Sequence, residues 1–109
     1  MKTSVDVMQG TLDLIILKAL SHAPMHAWGI GERIRRMSKD VFRIGQGSLY
    51  PAFHRFESMG WVTSHWRQTE NNRIARYYEL TAAGRQALTR EAARWEDYAR
   101  AIDSVLDAS

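Results

Sequence analysis

Apolar residues recur early in the chain at Leu12, Ile15, Ile16, Ala19 and Leu20, the spacing of one wide helical face. They predict a first helix over residues 9–22, started near Gln9 or Thr11, buried on that face and turning Asp13 and Lys18 outward. Residues 1–8 include Val5, Val7 and Met8 and fit either a loose arm or an extension of this helix onto a neighbour. Pro24 biases Ala23 away from helical angles and lacks a donor, so the helix ends before it. A second helix is expected over 26–38 with Ala27, Ile30, Ile34 and Met37 as its buried stripe. Gly29 and Gly31 each weaken that helix by about 1 kcal/mol relative to Ala, which suggests the close approach of another helix.

Val41, Phe42 and Ile44 make a short apolar piece within 39–44 that reads as a single small strand. A third helix follows over 47–59. Its stripe is Leu49, Ala52, Phe53 and Phe56, Gly60 supplies a left-handed terminus, and Pro51 is placed in the first turn. Ser48, Tyr50, His54 and Arg55 fall on its flanks or opposite side. Residues 61–67 and 74–80 then read as strands joined by a polar tip, 68–73, in which Asn71 and Asn72 tolerate positive φ. Thr81 caps a last helix carrying Leu88, Ala92, Trp95, Ala99, Ile102 and Leu106 at steps of four and three, a packing seam widened by Tyr98 and Val105. The seam is covered either by the first helix or by the same region of a second subunit, a two-fold pair being the commonest closed symmetry. The order gives a mainly α chain with a small β-hairpin: a winged helix-turn-helix over 1–80 and a long C-terminal dimerisation helix over 81–109.

Charge sharpens this picture. Residues 1–80 hold 11 Lys and Arg against 7 Asp and Glu, whereas residues 81–109 hold 4 against 5. The basic surplus therefore accompanies the third helix, and favours a polyanionic partner. Gln46 and Arg55 are candidates for reading base edges, and Ser48 and Tyr50 for holding phosphates, with His54 beside them. Arg67, Asn72, Arg73 and Arg76 form the wing's contact set for a minor groove or its phosphates; strand arginines also serve simply to protect an exposed edge. Arg33, Arg35 and Arg36 flank this set, and solvation with helix-dipole pairing explains them as well as phosphate contact does.

Other chemistry is thinly supported. Pro24 separates His22 from His26, Ser48 and His54 stand too far apart along one helix for a nucleophile and base, and the glycine pairs lack a phosphate-loop lysine. No catalytic residue, metal or cofactor is expected. The chain has no cysteine and hence no disulfide, no apolar run long enough for a membrane, and no secretory pattern, so the cytoplasm is its expected location.

Four stretches carry a family resemblance. They are residues 10–17 (GTLDLIIL), 26–30 (HAWGI), 47–57 (GSLYPAFHRFE) and 76–84 (RYYELTAAG), in order and with matching spacing. Together they resemble the PadR family of transcriptional regulators, with Ala27-Trp28 in place of the usual Gly-Tyr and Phe53 and Phe56 in place of Leu. The resemblance implies a homodimeric winged-helix protein, usually a repressor, bound to a palindromic double-stranded operator in its own or a neighbouring promoter, often beside transporter genes. It also implies a compact branch whose terminal helix makes the dimer, and whose members include some released by small hydrophobic or aromatic effectors held between tryptophans; Trp95 is similar in placement. Two other readings of the residues remain: a winged-helix protein-interaction module, and a nonspecific nucleoid-type binder.

Overall fold

Among the described residues, seven elements follow in order: α1 (Val5–Leu20), β1 (Met25–His26), α2 (Ala27–Met37), α3 (Gln46–Ser58), β2 (Val62–Gln68), β3 (Ile74–Leu80) and α4 (Ala82–Asp107). The computed structural model describes the backbone of residues 5–109 and the side chains of residues 10–109. The expectations for residues 1–4 lie outside this range. Helical backbone from Val5 onward favours the extension over the loose arm for 5–8, and puts Thr11 inside α1 rather than at its cap.

Four helices and a sheet share one core. Ile16, Leu17 and Leu20 of α1 meet Ile30 and Ile34 of α2, Leu49, Phe53 and Phe56 of α3, and Val62, Tyr78 and Leu80 of the sheet. All four residues of the predicted α3 stripe are buried, Phe53 and Phe56 completely. The Phe53 ring lies parallel to Tyr78 with centroids 4.1 Å apart, which fastens α3 to the middle of the sheet. Pro51 sits in the second turn of α3, not the first, because the helix begins at Gln46. Its ring therefore removes one intrahelical bond, to the Gly47 carbonyl. Gly60, at φ +74°, takes the left-handed position after the helix as expected.

The expected strand within 39–44 does not form. Lys39 and Asp40 adopt φ of 53° and 69°, left-handed angles that end α2 and forbid an extended run, and Val41 and Phe42 stay exposed. The additional strand lies instead between the first two helices: β1 pairs antiparallel with β3, Met25 opposite Tyr78 and His26 opposite Tyr77. With β2 on the other edge, the sheet order is β1-β3-β2. His26 ends β1 and caps α2, its Nδ1 accepting from the Gly29 N–H at 3.0 Å. Of the two α2 glycines, Gly31 faces the Ile44 carbonyl and Leu49 at the start of α3, while Gly29 makes room for the Met25 side chain rather than for a helix. Met37, expected in the buried stripe, is 49% exposed, because the last turn of α2 overhangs the core's edge.

The hairpin matches expectation closely. Val62 pairs with Leu80 and Gln68 with Ile74 without a bulge, and Asn72 turns the tip at φ 62°. Thr81 accepts from the Gly84 N–H at 3.0 Å, opening α4, and its hydroxyl donates to the Gly60 carbonyl at 2.6 Å. Gly84 lies against the Trp61 carbonyl so closely that a Cβ would overlap it. Ala87 is fully buried, so the first turns of α4 belong to the same core. Beyond them the helix leaves that core: Trp95, Tyr98 and Ile102 are 40–45% exposed, and Val105 and Leu106 more so.

Candidate nucleic-acid interface

The buried stripe of α3 fixes which residues point away from the core. On a helix of 3.6 residues per turn, the arc opposite Leu49, Ala52 and Phe56 holds residues 47, 51, 54 and 58, flanked by 50 on one side and by 48 and 55 on the other. Gln46, Ser48, Tyr50 and His54 are all exposed; His54 lies in this arc, Tyr50 and Ser48 flank it on opposite sides, and Gln46 opens the helix on the side of Tyr50. Apart from His54, the middle of that surface is low. Gly47 has nothing within 4 Å of where a Cβ would lie, and Pro51 and Ser58 are small, so the helix axis can come close to whatever it faces.

Arg55 is placed differently from the expected base reader. Its guanidinium donates to Asp13 Oδ1 at 2.5 Å, tying α3 to α1, and its side chain is 33% exposed. Asp13, expected to face solvent, is partly buried beneath this pair. Burial raises its carboxyl above the ordinary value, Arg55 partly offsets the rise, and Glu91 on α4 adds to it.

The wing arginines divide by strand parity. Trp66 lies opposite Arg76 and Arg67 opposite Ala75, so Arg67 and Arg76 stand on opposite faces of the ribbon. Arg67 lies over the Tyr77 ring at 3.9 Å, on the face away from α3. Arg76 is on the α3 side. It donates to Glu57 at 3.0 Å and to Ser64 Oγ at 2.8 Å, while Ser64 Oγ donates to Glu57 at 2.8 Å. This closed triangle joins α3 to both wing strands, using the one acid on the helix. Asn72 accepts from the Gln68 amide at 3.0 Å and shapes the tip. Arg73 is exposed there, with no side-chain partner among the described residues.

The α2 arginines separate too. Arg33 donates to the carbonyls of Ala19 at 2.8 Å and Ala23 at 3.0 Å, closing the exposed C-terminal end of α1, so its guanidinium is taken up by structure. Arg35 joins Glu32 and Asp40. Arg36 is exposed and lines a groove of about 960 Å³ together with Tyr50, Trp66, Arg73 and Ile74, open between α2, α3 and the wing. Lys39 and Arg43, missed by sequence reasoning, are exposed in the turn that leads into α3, and their side chains have no partner among the described residues. Their signal was available: two cations in the link between the helices of a helix-turn-helix.

The predicted seam on α4 is partly covered and partly bare. Leu88, Ala92 and Ala99 are half-buried, whereas Trp95, Ile102 and Leu106 are exposed. Leu88 and Ala92 also border an apolar groove of about 800 Å³ with Ile15, Met37 and Phe42. A smaller hollow of about 290 Å³ lies between Gly10, Leu14, Trp95 and Tyr98. Among the described residues, no helix is long and apolar enough to cross a membrane, and no group of His, Asp or Glu is arranged to hold a metal ion.

Comparisons with known proteins agree with this architecture. The chain is 37% identical over 68 residues to a transcriptional regulator of Mycobacterium tuberculosis (strain ATCC 25618 / H37Rv), a match covering 62% of this chain and 63% of that protein. Among solved structures, a transcriptional regulator from Clostridium thermocellum superposes with a TM-score of 0.82 at 27% identity, over 91% of this chain and 96% of the other. A PadR family transcriptional regulator from Eggerthella lenta superposes at 0.80 with 22% identity, over 99% and 92%, and shares the fold. The transcriptional regulator PadR-like family matches residues 16–90, from the last turns of α1 through the wing into α4. These relatives are regulators rather than enzymes, and the chain belongs to the PadR-like family of transcriptional regulators.

Proposed function

We propose that the protein is a homodimeric repressor that binds a palindromic operator in its own or a neighbouring promoter, and that a transporter operon is among its natural targets. The observation that carries this reading is the pairing of an open α3 surface, flanked by the cations Arg36, Lys39, Arg43 and Arg73, whose side chains have no partner among the described residues, with an apolar α4 seam that leaves the core. One α3 per subunit enters the major groove, and the two lie about one helical turn, roughly 34 Å, apart. Gln46 and His54 face base edges; Ser48, Tyr50 and the free cations face phosphates. Arg55 and Arg76 act through the elements they hold. The hollow beside Trp95 and Tyr98, whose rings are 6.0 Å apart, supports a flat hydrophobic effector that releases the operator.

The test titrates the purified protein against its own upstream DNA and a scrambled duplex at two salt concentrations. A preference of about a thousandfold, with affinity falling steeply in salt, is expected of a specific regulator. Equal binding to both duplexes would refute sequence specificity in that region. No binding to either by a confirmed dimer would favour the protein-interaction module instead.

A further inference from the structure

Strand parity exposes a feature of the wing that its arginines overshadow. Residues 62, 64, 66 and 68 of β2 and 74, 76, 78 and 80 of β3 share one face, since Val62 pairs with Leu80, Ser64 with Tyr78, Trp66 with Arg76 and Gln68 with Ile74. Near the base of the hairpin this face is core, where Phe53 stacks on Tyr78. The triangle of Glu57, Ser64 and Arg76 closes the core. Beyond it the same face continues into solvent with two large apolar side chains, Trp66 at 67% and Ile74 at 72% exposure. They are diagonal neighbours across the two strands, close enough to present one surface. Arg73 adjoins it at the tip, and the groove it borders also contains Tyr50 of α3 and Arg36 of α2.

Two exposed apolar residues between a recognition-helix tyrosine and two unpartnered arginines call for a ligand that is apolar in the middle and anionic at its borders. The minor groove has this character: its walls are deoxyribose rings, its rims are phosphates, and wedges of apolar side chains commonly enter it beside arginine. A protein partner fits less well. A stable protein interface buries roughly 1,200 Å² or more, far beyond what one Trp and one Ile present, and the side chains of Arg36 and Arg73 have no partner among the described residues, Glu32 and Glu70 being the acids that also line the groove.

We infer that Trp66 and Ile74 are a minor-groove contact of the wing, through which the protein discriminates base pairs flanking the segment read by α3. The inference rests on the DNA-binding reading above and adds a specificity element to it. The minor groove distinguishes A·T from G·C chiefly by the 2-amino group of guanine, which projects from the groove floor where an apolar side chain would press. G·C pairs under the wing should thus weaken binding, and inosine, which lacks that amino group but keeps the major-groove edge of guanine, should restore it.

The experiment first maps the wild-type footprint on upstream DNA, then measures affinity for duplexes bearing A·T, G·C or inosine·C at the flanking positions. It compares the wild-type protein with Trp66→Thr, Ile74→Thr and the double variant, in which threonine keeps the strand preference while removing the apolar surface. The double variant is expected to bind the A·T duplex roughly tenfold or more weakly, with an unchanged salt slope and melting midpoint, and to be indifferent to inosine. Arg73→Ala, by contrast, should lower the salt slope by about 0.9. A double variant that keeps wild-type affinity and inosine sensitivity overturns the inference and leaves the regulator reading intact. A wild-type protein that binds no upstream segment preferentially overturns both.

Discussion

α3 and α4 spend their apolar residues in opposite ways. In α3, of 13 residues, the entire stripe is buried, and ion pairs hold the helix on both sides, to α1 through Asp13–Arg55 and to the wing through Glu57–Arg76. In α4, of 26 residues, only the first turns find partners in the same core, and the stripe from Trp95 to Leu106 is largely uncovered. The contrast teaches where each helix gets its position. That of α3 is decided within one chain, before any DNA arrives. Among the described residues, nothing comparable holds the far half of α4, and an exposed apolar seam of that length is the usual mark of an interface.

Substitutions that separate these two kinds of position have graded effects. The largest is expected from Ile102→Glu, which places a charge in the bare seam: sedimentation should show monomers, and operator affinity should fall by at least about a hundredfold as the second half-site is lost. A variant that stays dimeric would falsify the α4 interface. Phe53→Ala removes the ring stacked on Tyr78 and should cost about 3–5 kcal/mol in a denaturant melt, an effect on the single-chain core that Ile102→Glu should not reproduce. Gly84→Ala drives a methyl group into the Trp61 carbonyl and should cost about 1–3 kcal/mol, since backbone rather than a flexible side chain must move. The smallest stability change belongs to Asp13→Asn and Arg55→Ala, about 1 kcal/mol or less for a partly exposed pair. Their informative readout is anisotropy with operator DNA. Similar losses of several-fold, not added together in the double variant, are expected if the pair positions α3. Weakening by Arg55→Ala alone would make Arg55 a direct DNA contact.

Much of the architecture was legible because it is periodic. Leu49, Ala52, Phe53 and Phe56 repeat at helical spacing, the wing strands are rich in β-formers around an Asn-Asn turn, and Thr81 marks the start of α4. What escaped depends on partners distant in sequence. The two residues of β1 become a strand only because β3 runs beside them, whereas the stronger local pattern at Val41–Ile44 fails once Lys39 and Asp40 turn left-handed. Asp13 and Arg55 are 42 positions apart, and Arg33 finds one carbonyl on the preceding helix and one in the link after it, so each looked like a surface charge. The open character of Gln46, Ser48, Tyr50 and His54 was readable from the stripe opposite them. Which arginines remained free was not, because that depends on the acids and carbonyls the fold brings near.

The junction at Thr81 has a mechanical consequence. Its hydroxyl bonds the Gly60 carbonyl just past α3, its N–H bonds the Trp61 carbonyl at the root of the wing, and Gly84 wedges α4 against that same peptide. The helix is thereby clamped at one end like the handle of a wrench, with α3 and the wing as its jaws. A handle of 26 residues is about 39 Å long. In the proposed dimer, a change of about 5° in its angle displaces the far end by roughly one base-pair step, about 3.4 Å. Small shifts where two handles cross would thus be converted into the spacing between two pairs of jaws, with no need for the jaws themselves to deform.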